Sequence, residues 1–343
     1  MLPTEPRETD WVGLYPPQQI LADREFVDVV LDPPALEPGH WTGAGDVWID
    51  RDAGEYWLTT RWRSPHEKGA SWASGVQVLR SDDGVDFEEV VSMHRTDLSD
   101  RFADDRIVGV ENQQLLRDPR TGRFHLYLSL HKHERGWETG LMTADDPGGP
   151  WTAEGTVLSL DDDRDVWNAR DATMGIVDGQ YVAIYKSTAP GEGTRPALAT
   201  SQDGFDWQKR GRFTVDGGDP RPNYIRGGDL MLLSGSIFAG ARGPVFVGMD
   251  NRSIVNSTTC GDLFAAYGVD LRNVDLEPIY QDRWTPQSPY EREDYPIHSY
   301  MNVVPDPLED RLLVYVQGID PEHSEAVGLD EEVSRLLLYE VPL

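Results

Sequence analysis

Apolar residues in this chain come in short runs rich in Val, Ile, Leu, Tyr and Trp, each closed off by Gly, Pro, Asp or Asn. That is the pattern of β-strands joined by tight turns, and helical periodicity is nearly absent. Short helices are predicted around Pro17 to Asp23, Cys260 to Tyr267 and Asp330 to Ser334, lying between strand groups. One unit recurs: a polar residue opens a strand, a turn follows, and a second strand runs through aromatic residues. Gly45-Asp46-Val47-Trp48-Ile49 precedes Tyr56-Trp57-Leu58, Glu111-Asn112-Gln113-Gln114 precedes Phe124-His125-Leu126-Tyr127, and Arg170-Asp171-Ala172-Thr173 precedes Tyr181-Val182-Ala183-Ile184-Tyr185. Weaker copies begin at Arg226-Gly227-Gly228-Asp229 and at His298-Ser299-Tyr300-Met301-Asn302.

A second signature lies between the openings: Ser81-Asp82-Asp83-Gly84-Val85-Asp86-Phe87, Ser201-Gln202-Asp203-Gly204-Phe205-Asp206-Trp207 and the variant Thr143 to Trp151. Asp-Gly supplies the positive φ of a tight hairpin, and the aromatic after it can pack between neighbouring sheets. These read as turns, not sites. Openings fall roughly sixty residues apart, enough for four strands and their loops. The pattern therefore predicts an all-β chain, a five-bladed β-propeller with four-stranded antiparallel blades around a central axis. It would form one domain over residues 1–343, with blades near 41–95, 106–160, 167–216, 224–280 and 296–343. The last blade lacks a strand after Ser334 to Glu340, and Phe26 to Leu31 is left unassigned near the N-terminus. Pairing the two would close the ring and remove an exposed edge.

Composition narrows the partners. Sixty Asp plus Glu against 31 Lys plus Arg give a formal net charge of −29, which repels nucleic acid and anionic lipid, so neither is an expected partner. With 11 Trp, 13 Tyr and 9 Phe the chain has ample core, so the acidity is that of a surface suited to molar salt rather than of disorder. Cys260 is the single cysteine, which excludes an internal disulfide. No signal-like segment opens the sequence, and no window approaches the roughly 18 apolar residues of a membrane span, so a salty cytoplasm is the expected location.

In a propeller the inner strand of each blade lines the axis, so residues at its start converge although they are distant in sequence. The openers are Asp46, Glu111, Asp171, Asp229 and His298, with Arg170 and Arg226 alongside. Several carboxylates around one polar funnel are electrostatically expensive, and such clusters are usually functional. Glycosidic bond cleavage needs this inventory: one carboxylic acid to protonate the leaving oxygen and one carboxylate to activate water or attack the sugar. Sugar binding adds aromatic faces and hydrogen bonders, for which Trp41, Trp48, Trp62, Trp167, Tyr300 and Asn112 are the candidates, together with Arg170, Arg226, Asp229 and His298. His131 and His133 share one face of a strand but lack a third ligand, and the run Asp161 to Asp165 reads as a solvated loop.

The acidic opener of the first unit, ten positions before Tyr56-Trp57, the Asp-Gly turns and the Gly149-Pro150-Trp151 turn together resemble the five-bladed propeller glycosidases. These comprise glycoside hydrolase family 43 and the related families 62, 32, 68, 117 and 130, and the resemblance spans nearly the whole chain. It implies Asp46 as base, with Glu111 and Asp171 dividing the acid and orienting roles. The chain departs from family 43 in exchanging Asp and Glu between blades 2 and 3 and in lacking the Asp-Pro of blades 1 and 2. The expected activity is hydrolysis of oligosaccharides, with inversion and without a cofactor. A structural calcium on the axis near His298 is the one metal the resemblance suggests. Phosphorolysis of the family 130 kind and a non-catalytic glycan- or protein-binding propeller are the alternatives. The Gly-His and Trp-Asp signatures of protein-binding repeats do not recur.

The acidic surface carries a solution prediction. Salt screens self-repulsion over a Debye length that shrinks from about 10 Å at 0.1 M to about 3 Å at 1 M. The thermal midpoint is expected to rise with KCl into the molar range. Equal stability in dilute buffer would contradict it.

Overall fold

The computed structural model describes residues 17–65, 72–102, 106–161, 163–190, 194–218, 232–240, 243–250, 262–306, 308–328 and 330–342. A short helix α1 (Pro17–Asp23) and strand β1 (Glu25–Leu31) precede the first blade. Blade 1 comprises β2 (Trp41–Asp50), β3 (Glu55–Arg63), β4 (Gly75–Ser81) and β5 (Glu88–His94), and is followed by helix α2 (Arg95–Phe102). Blade 2 holds β6 (Ile107–Arg117), β7 (Phe124–Lys132), β8 (Gly136–Ala144) and β9 (Thr152–Leu158), and blade 3 holds β10 (Ala169–Val177), β11 (Gln180–Thr188), β12 (Thr194–Ser201) and β13 (Trp207–Arg212). Blade 4 is built from β15 (Leu232–Gly240), β16 (Gly243–Asp250), β17 (Asp262–Asp270) and β18 (Asp275–Arg283), with the short β14 (Thr214–Val215) on its outer edge. Blade 5 contains β19 (Ile297–Asp306), β20 (Arg311–Ile319) and β21 (Ser334–Pro342).

The fourth strand of blade 5 comes from the other end of the chain. β1 lies antiparallel to β21, with Phe26 opposite Tyr339 and Val29 opposite Leu337. This pairing covers the edge that β21 would otherwise expose. A parallel pair, Trp41 with Ser334, ties blade 5 to blade 1. Arg24 fastens the N-terminal segment to blade 5, its guanidinium 4.0 Å from the Trp284 ring, 5.6 Å from the Tyr339 ring of β21 and bonded to the Leu21 carbonyl.

Between blades the core is apolar and falls into several clusters. Trp57, Leu115, Phe124 and Trp151 join blades 1 and 2, while Ile184, Leu198, Ile237 and Phe246 join blades 3 and 4. The Asp-Gly turns act as predicted. In Ser81 to Asp86 the Asp83 carboxylate accepts the N–H groups of Val85 and Asp86, and Gly84 takes φ 78°. The Tyr315 hydroxyl of blade 5 donates to the Gly84 carbonyl, and the Tyr127 hydroxyl of blade 2 does the same for Gly204 of blade 3. Phe87 meets Tyr315, and Trp207 meets Tyr127, edge to face.

Two of the expected helices are corrected. Asp262 to Tyr267 belongs to strand β17, held between β16 and β18, so ladder partners on both sides override the helical preference of its alanines; Cys260 lies outside the described residues. Residues 330 and 331 form a turn that leads into β21 at Ser334. Conversely, α2 was not anticipated; it buries Leu98 and Phe102 against blade 2, with Asp97 in its first turn.

Around the axis one contact is repeated at all five junctions. A side chain on each inner strand accepts a backbone N–H from the next blade: Leu115 donates to Asp46 (2.6 Å), Met174 to Gln114 (3.0 Å), Gly235 to Thr173 (3.0 Å), Val303 to Ser236 (2.9 Å) and Val47 to Asn302 (3.1 Å). The blades are thus joined by a closed girdle of hydrogen bonds among buried groups. Breaking one link leaves a buried N–H without an acceptor, at a cost of about 1–3 kcal/mol. Thr173→Val, which keeps shape and removes the acceptor, is expected to lower the urea midpoint accordingly with the m-value unchanged; an unchanged midpoint would show that the girdle contributes nothing.

Candidate active site

Just beyond the girdle, toward the start of the inner strands, the structure gathers a buried ionic cluster. Glu111, on β6, meets Arg61 of β3, whose Nε lies 2.8 Å from its carboxylate. Arg61 is held between two aromatic faces, with the Trp41 and Tyr300 rings each 4.4 Å from its guanidinium carbon. The Tyr300 hydroxyl also donates to Glu111, at 3.3 Å. Burial, reinforced by the Asp171 and Glu111 charges, drives the Tyr300 hydroxyl well above its ordinary pKa, so it remains a proton donor in hydrogen bonding.

Asp171 sits beside this group on β10. The ladder with β11 is interrupted by a bulge between Arg170 and Thr173, and Asp171 itself takes φ 49°. A non-glycine residue in the left-handed region costs about 1–2 kcal/mol, and such conformations cluster at working sites. The bulge re-aims the side chain: one carboxylate oxygen accepts from Lys186 Nζ at 2.6 Å, Arg170 Nε lies 3.8 Å away, and the backbone N–H donates to Ser129. Its other oxygen, Oδ1, is buried without a hydrogen-bond partner. Burial alone would raise this carboxyl, but the Arg170 and Lys186 charges outweigh it and hold Asp171 below the usual carboxylate range.

Asp46 is placed differently. It belongs to the girdle, accepting from Leu115 N–H and from the Asn302 amide at 2.9 Å, and among the described residues no cationic side chain is bonded to it. Burial pushes it up to about 7, against these two hydrogen bonds, which lower it. Its level on the axis is that of Leu115, four residues along β6 from Glu111, a rise of up to roughly 13 Å at about 3.3 Å per residue. The three expected carboxylates therefore split into one at the girdle and two in the cluster above it.

The expected binding residues separate in the same way. Trp41, Tyr300 and Arg170 line the cluster, and Arg170 lies flat over Trp137 at 4.2 Å and near Trp72 at 5.6 Å. Trp167, 51% exposed, stands on the loop entering β10, and its carbonyl accepts the Trp137 N–H. His298 stacks on Tyr300 and points Nδ1 at Glu332, 2.9 Å away. Asn112 serves as a strut between blades, donating to the Ala172 carbonyl. Two tryptophans lie elsewhere: Trp48 packs edge-on against Phe124 in the blade 1/blade 2 core, and Trp62, one residue past Arg61, points by strand alternation to the opposite face, near His94. Arg226 and Asp229 lie outside the described residues.

Among the described residues no group of three or more His, Cys, Asp or Glu is arranged to hold a metal ion. His131 instead stacks on Trp137 at 4.6 Å. Of the acidic run, Asp161 and Asp165 are not freely solvated: both grip Lys209, at 2.8 and 2.6 Å. Residues missed from sequence are Arg61 and Lys186, which come from second strands. The signal available was their register, Arg61 opposite Gly43 and Lys186 opposite Arg170 at the start of each inner strand.

No protein-family profile matches the sequence, and no curated protein matches it. Solved structures do match the fold along nearly the whole chain. A β-1,2-mannobiose phosphorylase from Listeria innocua superposes with TM-score 0.61 at 12% identity, covering 93% of this chain and 96% of that one. A family 117 glycoside hydrolase from Zobellia galactanivorans gives 0.61 at 12%, covering 94% and 91%. An N-acetylgalactosamine deacetylase from F. plautii, in complex with blood group B trisaccharide, gives 0.65 at 12%, covering 93% and 94%. The chain thus has the five-bladed propeller fold shared by these carbohydrate-active enzymes.

The raised Asp46 makes a pH prediction. Its folded pKa, about 7, lies above the unfolded value of 3.8, so the folded state keeps a proton that the unfolded chain has released between those pH values. Stability from this group therefore falls as pH rises from about 4 to 7, by a few kcal/mol at about 1.4 kcal/mol per pKa unit. An asparagine in its place would mimic the protonated carboxyl, so the difference in thermal midpoint between Asp46→Asn and wild type is expected to move in the variant's favour from pH 5 to pH 8. A pH-independent difference would refute the raised pKa.

Proposed function

We propose that the protein hydrolyses glycosidic bonds at this axial cluster. The observation that carries the reading is Asp171: a strained, bulged carboxylate kept ionised among Arg170 and Lys186, with one buried oxygen left without a partner, next to Glu111 and Tyr300. Such a group is costly to build, and buried ion clusters contribute little net stability, which favours a working role. The fold supports the same reading, because its neighbours include proteins described as a glycoside hydrolase and a mannobiose phosphorylase.

Roles follow from surroundings that push the carboxyl groups apart. Asp46, raised to about 7, holds an exchangeable proton near neutrality and acts as general acid. Asp171 accepts a proton from the attacking water through its free oxygen. Water bonds to the anomeric carbon, the glycosidic C–O bond breaks, and the leaving oxygen takes the Asp46 proton. Glu111, fixed by Arg61 and Tyr300, orients the sugar and its ionised partners. This exchanges the base role that the family resemblance implies for Asp46. Placement of acid and base at different levels of the axis leaves room for a water, so inversion is expected; carboxyls about 6.5–9.5 Å apart go with that outcome and about 5–5.5 Å with retention.

The test is a panel of aryl glycosides and arabino-, xylo-, fructo- and manno-oligosaccharides in concentrated KCl, with and without phosphate. Wild type is expected to hydrolyse at least one, Asp171→Asn to lose on the order of 10³-fold in kcat/KM, and Asp46→Asn to lose about 10²–10⁴-fold together with the alkaline limb of the pH profile. Strict phosphate dependence would select phosphorolysis. A wild-type rate in both variants would remove the catalytic reading and leave a binding propeller.

A further inference from the structure

Among the described residues the charges of the axial cluster do not cancel. Arg61, Arg170 and Lys186 face Glu111 and Asp171, so three described cations meet two described carboxylates, in a chain whose formal charge is −29. The groups are shielded from solvent: Arg61 is 1% exposed, Lys186 7%, Glu111 3% and Asp171 2%, and the Arg170 side chain 16%. A buried unpaired charge is strongly unfavourable unless a partner arrives. Two of the guanidinium nitrogens, Arg61 Nη1 and Arg170 Nε, are also buried without a hydrogen-bond partner. Both guanidinium groups are fixed on aromatic faces, Arg61 between Trp41 and Tyr300 and Arg170 over Trp137.

We propose that this site recognises a carboxylate carried by the sugar itself, so that the glycosides it takes contain a uronic acid residue. The inference rests on the glycosidase reading for its sugar and on the charge and donor arrangement for its acid. One carboxylate brings the five described ionised groups to neutrality and supplies acceptors for donors that lack them. Inorganic phosphate fits less well, because its dianion, a large part of the population near pH 7, would leave excess anion buried beside Glu111 and Asp171. A neutral sugar would leave the surplus cation uncompensated. Arg170 is the contact nearest solvent, and its planar fork suits a carboxylate in a way an ammonium does not.

The experiment is binding, read by calorimetry in concentrated KCl, where the acidic surface is screened and the buried cluster is not. Galacturonate and glucuronate are compared with galactose, glucose and inorganic phosphate. Both or either of the uronates should bind at least about tenfold more tightly than its neutral parent and than phosphate. Arg170→Gln should abolish that advantage, read within the variant as the ratio of uronate to neutral-sugar affinity, whereas Arg170→Lys, which keeps the charge, should retain part of it. Equal affinity for acid and parent, tighter binding of phosphate, or an advantage that survives in Arg170→Gln would each overturn the proposal. Cleavage of neutral glycosides without uronate preference would sink this inference and leave the hydrolytic reading intact; uronate binding without cleavage of any glycoside would do the reverse.

Discussion

The girdle of hydrogen bonds around the axis is the constraint on which the rest depends. Five sheets packed face to face by apolar side chains could slide or tilt, since hydrophobic contact is non-directional. Fixing one backbone N–H of each inner strand to a side chain of the previous blade sets rotation and height together. Four of the acceptors, Gln114, Thr173, Ser236 and Asn302, are neutral, and the fifth is Asp46. A carboxyl at that position is the costly choice, because burial without a cation penalises its ionised form. The same position raises its pKa toward neutrality, so the structural link and the proposed proton donor are one residue.

Above the girdle the logic of charge reverses. Arg61 and Lys186 reach the axis from second strands, each opposite the opening of its blade, and the bulge at Asp171 turns that carboxylate toward them. Ion pairs buried this deeply are poor sources of stability, so their concentration at one end of the axis indicates a requirement other than folding. The strained backbone of Asp171 and the sandwiched guanidinium of Arg61 are of the same kind: geometry held by its surroundings rather than preferred locally.

Much of the fold was legible because its determinants are local. Asp-Gly turns, alternation and the spacing of openings are properties of short segments, and the unassigned strand from Phe26 to Leu31 was marked by the missing edge partner of Ser334 to Glu340. Segment 262–270 was misread because a strand fully paired on both sides need not show alternation. The site was legible in part. Inner-strand openers pointed to Glu111 and Asp171, with Arg170 beside them and Tyr300 among the aromatic candidates, whereas Arg61 and Lys186 lie on the second strands and were visible only through register. Trp48 and Trp62 do not join the cluster among the contacts described, because proximity in sequence to an opener does not fix which face a side chain takes.

The account stands most directly on the separation of the carboxyl groups by their surroundings. Its sharpest measurement is a carbon-13 NMR titration of the aspartate carboxyls in concentrated KCl, with Asp46 and Asp171 assigned through their Asp→Asn variants. The account predicts that Asp46 titrates near 7 while Asp171 stays ionised to below the ordinary aspartate range. Titration of both together near the ordinary value of about 3.9 would contradict it.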